Sequence, residues 1–252
     1  MMAVRSQMPR LGTRKLYYIL QEELDRCNLK IGRDKLFELL RNEGLLVVRQ
    51  KKYTRTTNSK HWMRKYPNLV RGLVLRRPEQ LWVADITYIA VKNGQGYLHL
   101  LTDAYSRQIM GYELSADMAA SSTMKALRKA IRRRRYTGKL IHHSDRGLQY
   151  CSHLYTSLLK KNDITISMTE AGDPYENAVA ERVNGILKEE FGMGECFDSL
   201  GEAALQLKQA IFTYNSQRPH LSCYMFTPEQ MHRQNKIKPK SWKKRRLKSI
   251  NS

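Results

Sequence analysis

The sequence predicts an α/β fold: a mixed five-stranded sheet with helices on both faces, preceded by a small helical segment resembling a helix-turn-helix. Three observations carry this. From Leu81 onward, β-rich apolar runs alternate with helical patterns in the order β-β-β-α-β-α-β-α. Before that, two short amphipathic helical patterns stand close together. Charge also divides the chain. Residues 1–77 hold 19 Lys+Arg against 6 Asp+Glu, residues 78–235 hold 18 against 17, and residues 236–252 hold 8 and no acid. A near-neutral middle between basic flanks suits a folded unit with arms for a polyanion. The expected organisation is therefore 1–48 helical, 49–78 a basic linker, 79–235 the α/β domain and 236–252 a basic tail.

Composition narrows the class further. Hydrophobic residues make up 41% of the chain, too many for a disordered protein. No apolar run approaches the roughly 18 residues of a membrane span. The start, MMAVRSQMPRLGTRK, lacks the apolar stretch of a signal peptide, so a cytoplasmic protein is expected. Cys27, Cys151, Cys196 and Cys223 are too widely spaced for a zinc pattern and read as reduced thiols.

Taken in order, Thr13–Cys27 places Leu16, Ile19, Leu20 and Leu24 at helical spacing. Arg33–Asn42 is a second helix, with Gly44 beyond its end as a stop. Arg33, Lys35 and Arg41 sit among its polar positions, where a recognition helix would present them to DNA. The following basic stretch carries Lys51, Lys52 and Arg55, interleaved with Tyr53, Trp62 and Tyr66, a pattern suited to tracking a nucleic-acid backbone. LWVADITYIAV, GYLHLLTDAYS and RQIMGYELS read as three consecutive antiparallel strands. A helix is expected at Met118–Arg134, a fourth strand in KLIHHSD, and a helix over 153–161. A fifth strand follows in ITISMT, then helices at Asn177–Phe191 and Ser199–Tyr214.

Three carboxylates stand out. Asp85 lies inside an apolar strand, where a charge is costly unless paired, hydrogen-bonded or metal-bound. Asp145 sits where a strand gives way to a Gly-containing turn, the place α/β sheets put chemistry. Glu181 shares one helix face with Asn177, Asn184 and Lys188, while Val179, Val183, Ile186 and Leu187 line another. Two Asp and one Glu form an all-oxygen donor set suited to Mg²⁺ or Mn²⁺. Taken singly, each acid could equally be a cap, turn or ion-pair residue; the set gives the metal reading its weight. A pair of ions would serve phosphoryl transfer. His142 and His143 read as supporting hydrogen-bonders, and Asn215, Arg218 and His220 as a structural turn.

Five segments in order resemble one family: WVADITYI (82–89), TDAYSRQIMGYEL (102–114), HHSDRGLQYCS (142–152), ISMTEAGDPYENAVAERVNGILKEE (166–190) and YNSQRPH (214–220) with TPEQ (227–230). Together with GTRKL (12–16) and the helix pair, they are similar to the second-frame product of the IS-three family of bacterial insertion sequences, whose core is similar to the retroviral integrase catalytic domain. Thirty-five residues separate Asp145 from Glu181, that family's D,D-35-E spacing, and Lys188 matches its basic position. The resemblance implies a ribonuclease H-like fold with Asp85, Asp145 and Glu181 as catalytic metal ligands for Mg²⁺, with Mn²⁺ as substitute. It implies cleavage at element ends and transfer of the freed 3′-hydroxyl to a phosphodiester. The partners it implies are DNA, further copies of the chain and the upstream-frame product. Two departures stand beside it: Glu176-Asn177-Ala178 replaces the common Asp-Asn-Ala, and there is no His-His-Cys-Cys zinc module. The competing readings are another ribonuclease H-like nuclease, such as a junction resolvase, and a non-catalytic DNA-binding repressor.

Overall fold

The computed structural model describes residues 1–47, 62–170 and 177–240. Three helices open the chain: α1 (Met2–Gln7), α2 (Thr13–Arg26) and α3 (Arg33–Asn42). The α/β part follows as β1 (Leu81–Val91), β2 (Gly94–Asp103), β3 (Ile109–Ser115), α4 (Ala120–Arg133), β4 (Leu140–Ser144), α5 (Leu148–Cys151), α6 (His153–Lys161), β5 (Ile164–Met168), α7 (Ala178–Glu190), β6 (Cys196–Phe197) and α8 (Leu200–Ser216). A 3-10 turn (Leu221–Cys223) and α9 (Pro228–His232) complete it. The five expected strands are present and their order is as read. The sequence reading missed α1, the single turn α5, α9 and the two-residue strand β6, all too short to show a period.

The sheet runs β3-β2-β1-β4-β5, with β6 adding to the far end of β1. Strands β1 and β2 form one long antiparallel hairpin from Trp82↔Asp103 to Val91↔Gly94. Gly94, at φ 141°, takes a conformation that side chains resist. β4 runs parallel to β1 but pairs only with Leu81–Val83, and β6 pairs only with Ala90–Val91. The middle of β1 is therefore unpaired on that side.

Alternation along the strands feeds two cores. On one face, Trp82, Ala84, Leu101 and Met110 pack with Ala126, Leu127 and Ala130 of α4 and Tyr155 and Leu159 of α6. α4 lies very close to β3, because Gly111 has no side chain. A Cβ there would meet the Ala126 carbonyl oxygen at 2.2 Å. On the other face, Ile89, Leu98, Leu100 and Ile109 pack with Val183, Ile186 and Leu187 of α7 and Leu207 and Tyr214 of α8. Each fully buried aliphatic side chain stabilises by about 1.5–3 kcal/mol relative to exposure.

Leu16, Leu36 and Leu40 of the N-terminal helices belong to this second cluster, so the helical segment shares a core with the α/β part. A buried ion knot pins it. Lys15 Nζ donates to Glu190 Oε1 (2.9 Å) at the end of α7, and Arg218 Nε and Nη2 donate to both oxygens of the same carboxylate (2.8 Å each). The described end of the linker is also held. Leu69 N donates to Ser167 Oγ (2.9 Å), and Val70, Leu73 and Leu75 pack beside Leu81 and Val83. Beyond Asn235, Lys240 N donates to Ser222 O (2.9 Å), so the first residues of the basic tail are anchored rather than free.

Candidate active site

Asp85 stands on the unpaired stretch of β1, and the structure brings Asp145 close to it. Val83 is level with His143 across the parallel pair. Asp85 stands two residues beyond Val83 on β1, on the same sheet face, and Asp145 follows directly on the end of β4 at Ser144. Beyond Ser144 the chain leaves β1, because the Asp145 side chain bends it: Oδ1 accepts from Gly147 N at 3.0 Å. Gly147 then opens α5. A Cβ on Gly147 would stand 3.1 Å from Asp145 Oδ1.

Helix α7 lies across this face. Asn177 Nδ2 donates to Ala84 O (3.2 Å) and Asn184 Nδ2 to Asp85 Oδ2 (2.8 Å). The shared helix face read from the sequence is therefore turned to the centre of β1. Val183, Ile186 and Leu187 bury the other side, and Val179 packs near Ala104. Glu181, in the first turn, has an exposed side chain, yet its charge is felt at Asp85. Lys188 is partly buried and within reach of the Asp85 charge; burial lowers its pKa and Asp85 raises it.

The site is electrostatically uneasy. Burial, then the neighbouring Asp145, push the Asp85 carboxyl up to about 7, against the hydrogen bond from Asn184. Burial raises Glu181 as well. Asn177 Oδ1, Asn184 Oδ1 and the Tyr150 hydroxyl are buried without a hydrogen-bond partner among the described residues. Among the described residues, no three His, Cys, Asp or Glu side chains stand close enough together to hold one ion. Asp85 and Asp145 are brought together, with Glu181 at the rim.

Comparison with known proteins bears on most of the chain. The integrase core domain family matches residues 76–174, and a second integrase core domain family matches residues 162–228. The insertion element IS600 uncharacterized 31 kDa protein of Shigella sonnei is 37% identical, covering 83% of this chain and 76% of its own. The transposase of insertion sequence IS629 from the same organism is 33% identical, over 82% of this chain and 68% of its own. Transposase InsF of IS3fB from Escherichia coli K12 is 33% identical, over 78% and 69%. The chain belongs to the IS3 family of insertion-sequence transposases. Its fold is that of integrase cores. The simian T-cell lymphotropic virus intasome, solved with a PP2A regulatory subunit, matches with a TM-score of 0.55 at 20% identity over 93% of this chain and 79% of that one. The HTLV-2 integrase catalytic core, solved with magnesium, matches with a TM-score of 0.50 at 20% identity over 62% and 97%. The transposase is thus a DNA-processing enzyme of the phosphoryl-transfer type.

The other residues read from the sequence fall in several places. On α3 of the transposase, Arg33 pairs with Asp34 (2.9 Å) and Lys35 with Glu38 (3.0 Å), both on the surface. Arg33 and Arg41 line a shallow concavity with Arg14 of α2. Lys51, Lys52 and Arg55 lie outside the described residues. His142 and His143 are buried and act as supports: His142 Nε2 is bonded to Tyr155 OH and His143 Nδ1 to Ser167 Oγ, each at 2.8 Å. Burial, with His143 beside it, lowers His142 to about 3 and keeps it neutral. Asn215 clasps the backbone of Ile109 through both amide atoms, and Arg218 is fully buried on Glu190, as a structural turn requires. All four cysteines are free. No helix among the described residues is long and apolar enough to cross a membrane.

Sequence reasoning missed a buried polar knot where β1 begins and β2 ends. His232 bridges Glu79 (Nε2 to Oε1, 3.2 Å) and Ser106 (Nδ1 to Oγ, 2.9 Å), with Asp103 Oδ2 3.6 Å away. Asp103 also accepts from Glu79 N and Ser106 N, and Glu79 from Arg135 N and Tyr136 N. One signal was present: Thr227-Pro228-Glu229-Gln230 is a capping box with Pro in the first turn, and it starts the short helix that ends on His232.

Proposed function

We propose that this transposase cuts the ends of its element and joins the freed 3′-hydroxyls to target DNA, with Asp85, Asp145 and Glu181 as the ligands of two divalent ions, Mg²⁺ or Mn²⁺. One observation carries the reading. The buried Asp85 carboxyl, on the stretch of β1 that neither β4 nor β6 pairs, feels the like charge of Asp145 first and that of Glu181 on α7 after it. Such a pair calls for a cation. The donor chemistry fits, since all the candidate ligands are hard oxygens. The unpartnered oxygens of Asn177 and Asn184 fit too, being acceptors for the waters that Mg²⁺ keeps. The chemistry supplied by such ions is activation of the attacking oxygen and stabilisation of charge on the leaving one.

The protein's own part is positional. Asn184 holds one oxygen of Asp85, and the Gly147 amide holds one oxygen of Asp145, so each carboxylate keeps a fixed orientation. Lys188, on the same helix face, offers a cation to a DNA phosphate beside the acids. Arg14, Arg33 and Arg41, together with the basic linker (Lys51, Lys52, Arg55) and tail, supply the sequence-independent grip on DNA. Further copies of the chain on DNA, and the upstream-frame product, complete the proposed assembly. The likeness to a protein solved as an intasome supports the former. Domain roles follow the charge division: 1–48 for end recognition, 49–78 as linker, 79–235 for catalysis and 236–252 as a tail.

The test uses a labelled element-end duplex with Mg²⁺ or Mn²⁺. Asp85→Asn, Asp145→Asn and Glu181→Gln each abolish nicking and joining while DNA binding survives, and their losses do not add. Lys188→Ala weakens DNA engagement more than the chemical step. A Glu181→Gln protein that cuts at near wild-type rate removes Glu181 from the site.

A further inference from the structure

Tyr150 is not accounted for by the fold. Its side chain is 2% exposed, and its hydroxyl is buried with no hydrogen-bond partner among the described residues. Buried hydroxyls without partners are rare in native proteins and call for a reason. The ring is well packed, edge-on to Tyr155 (5.6 Å between centroids) and tilted against His142 (6.1 Å). A phenylalanine would make those contacts equally well. The neighbouring Tyr155 hydroxyl is already engaged by His142. Only Tyr150's is left over.

Its position says what it is for. Tyr150 N donates to Gly147 O (3.0 Å) and Gly147 N to Asp145 Oδ1 (3.0 Å), so tyrosine and aspartate belong to one turn. The space at Gly147 touches both: a Cβ there would stand 3.1 Å from Asp145 Oδ1 and 3.7 Å from a Tyr150 ring carbon. The charges of Asp145 and Asp85 both act on the phenol, which burial and those charges hold well above its usual pKa. It remains a donor at any working pH.

We propose that Tyr150 is a positioning residue of the active site, whose hydroxyl donates to the Asp145 side of the metal centre, to the carboxylate or to a metal-held water, once a divalent ion is bound. This rests on the reading of Asp85 and Asp145 as metal ligands. Partners that orient metal ligands from behind contribute roughly 10- to 100-fold to metal affinity. A buried hydroxyl costs free energy for as long as it lacks an acceptor.

Two measurements on the full chain test this. The first is Mn²⁺ binding, followed by the electron paramagnetic resonance signal of free Mn²⁺, for wild type, Tyr150→Phe and Asp145→Asn. Tyr150→Phe is expected to bind about 10-fold more weakly, and Asp145→Asn to lose binding. If Asp145→Asn loses Mn²⁺ while Tyr150→Phe binds as wild type, the role of Tyr150 is overturned and the metal site stands. If Asp145→Asn also binds as wild type, the metal reading fails and takes this inference with it. The second is the thermal midpoint without metal. Tyr150→Phe is expected to match or exceed wild type, as removal of an unpartnered hydroxyl requires. A midpoint several degrees lower would make the hydroxyl part of the fold and overturn the proposal.

Discussion

Replacing Glu190 with glutamine keeps the side chain's shape and removes the charge between Lys15 and Arg218. The carboxylate accepts three short hydrogen bonds, and its two partners are 9% and 1% exposed at their side chains. With the charge gone, two cations remain buried against each other. Breaking a buried ion pair from one side costs about 3–5 kcal/mol, and the retained amide oxygen places this case near about 3. For a chain of this size that is about 6–12 °C in melting temperature. Lys15→Met should cost far less, about 1 kcal/mol, because it leaves a balanced Glu190–Arg218 pair. Burial and then the Arg218 charge hold Lys15 down to about 8, so its own charge sits there under strain. For Glu190, burial raises the pKa, but the bonds and charges of Arg218 and Lys15 outweigh it and leave it lowered. Its contribution is thus present above the ordinary value of 4.5 and lost as pH falls through the depressed folded value. Urea denaturation of the three proteins at pH 7 and at pH 4 reads the differences. Because Lys15 is on α2, the Gln variant should also lose its N-terminal helices to trypsin first. A Gln variant within 1 kcal/mol of wild type, or a Met variant as costly as the Gln one, would refute the reasoning.

Three further outcomes are expected. His232→Gln should destabilise by about 3 kcal/mol near pH 6.5. Burial lowers His232, but Asp103 and Glu79 outweigh it and raise it to about 9, so the gap from wild type should close as pH rises through 9; a gap that widens across that range would exclude a charged His232. Gly111→Ala forces a methyl into the α4 backbone, 2.2 Å from a carbonyl oxygen, and should cost about 3 kcal/mol or more in the same denaturation assay; a wild-type midpoint would show that α4 sits further out. Gly147→Ala meets no positive φ and only Asp145 Oδ1 and Gln149 Oε1 at 3.1 Å, so it should fold normally yet cut element ends more slowly by displacing that carboxylate; full activity would separate the turn from the chemistry.

Local pattern carried the reading of elements as far as the pattern was long. The eleven residues of β1 and the seventeen of α8 show their periods; β6, α5 and α9 are too short to show any. The expected helix at Met118–Arg134 begins at Ala120, where no side chain caps it and a boundary is hard to place from residue type. Arg33 and Lys35 were legible as surface cations, but not the acids each pairs with on its own helix, Asp34 and Glu38.

The sequence by itself determined the order of strands and helices, the apolar and polar faces of α7, and the candidate acids, because each depends on residues near one another along the chain. It could pick out Asp85, Asp145 and Glu181 by type and spacing. Only the tertiary structure decided that Asp145 comes close enough for its charge to act on the buried Asp85, since that follows from β4 running parallel beside β1. It alone joined Lys15 to Glu190, 175 positions apart, and Glu79 to His232, 153 apart. Buried charges choose partners by proximity after collapse, when water is no longer there to solvate them, and no local pattern records that choice.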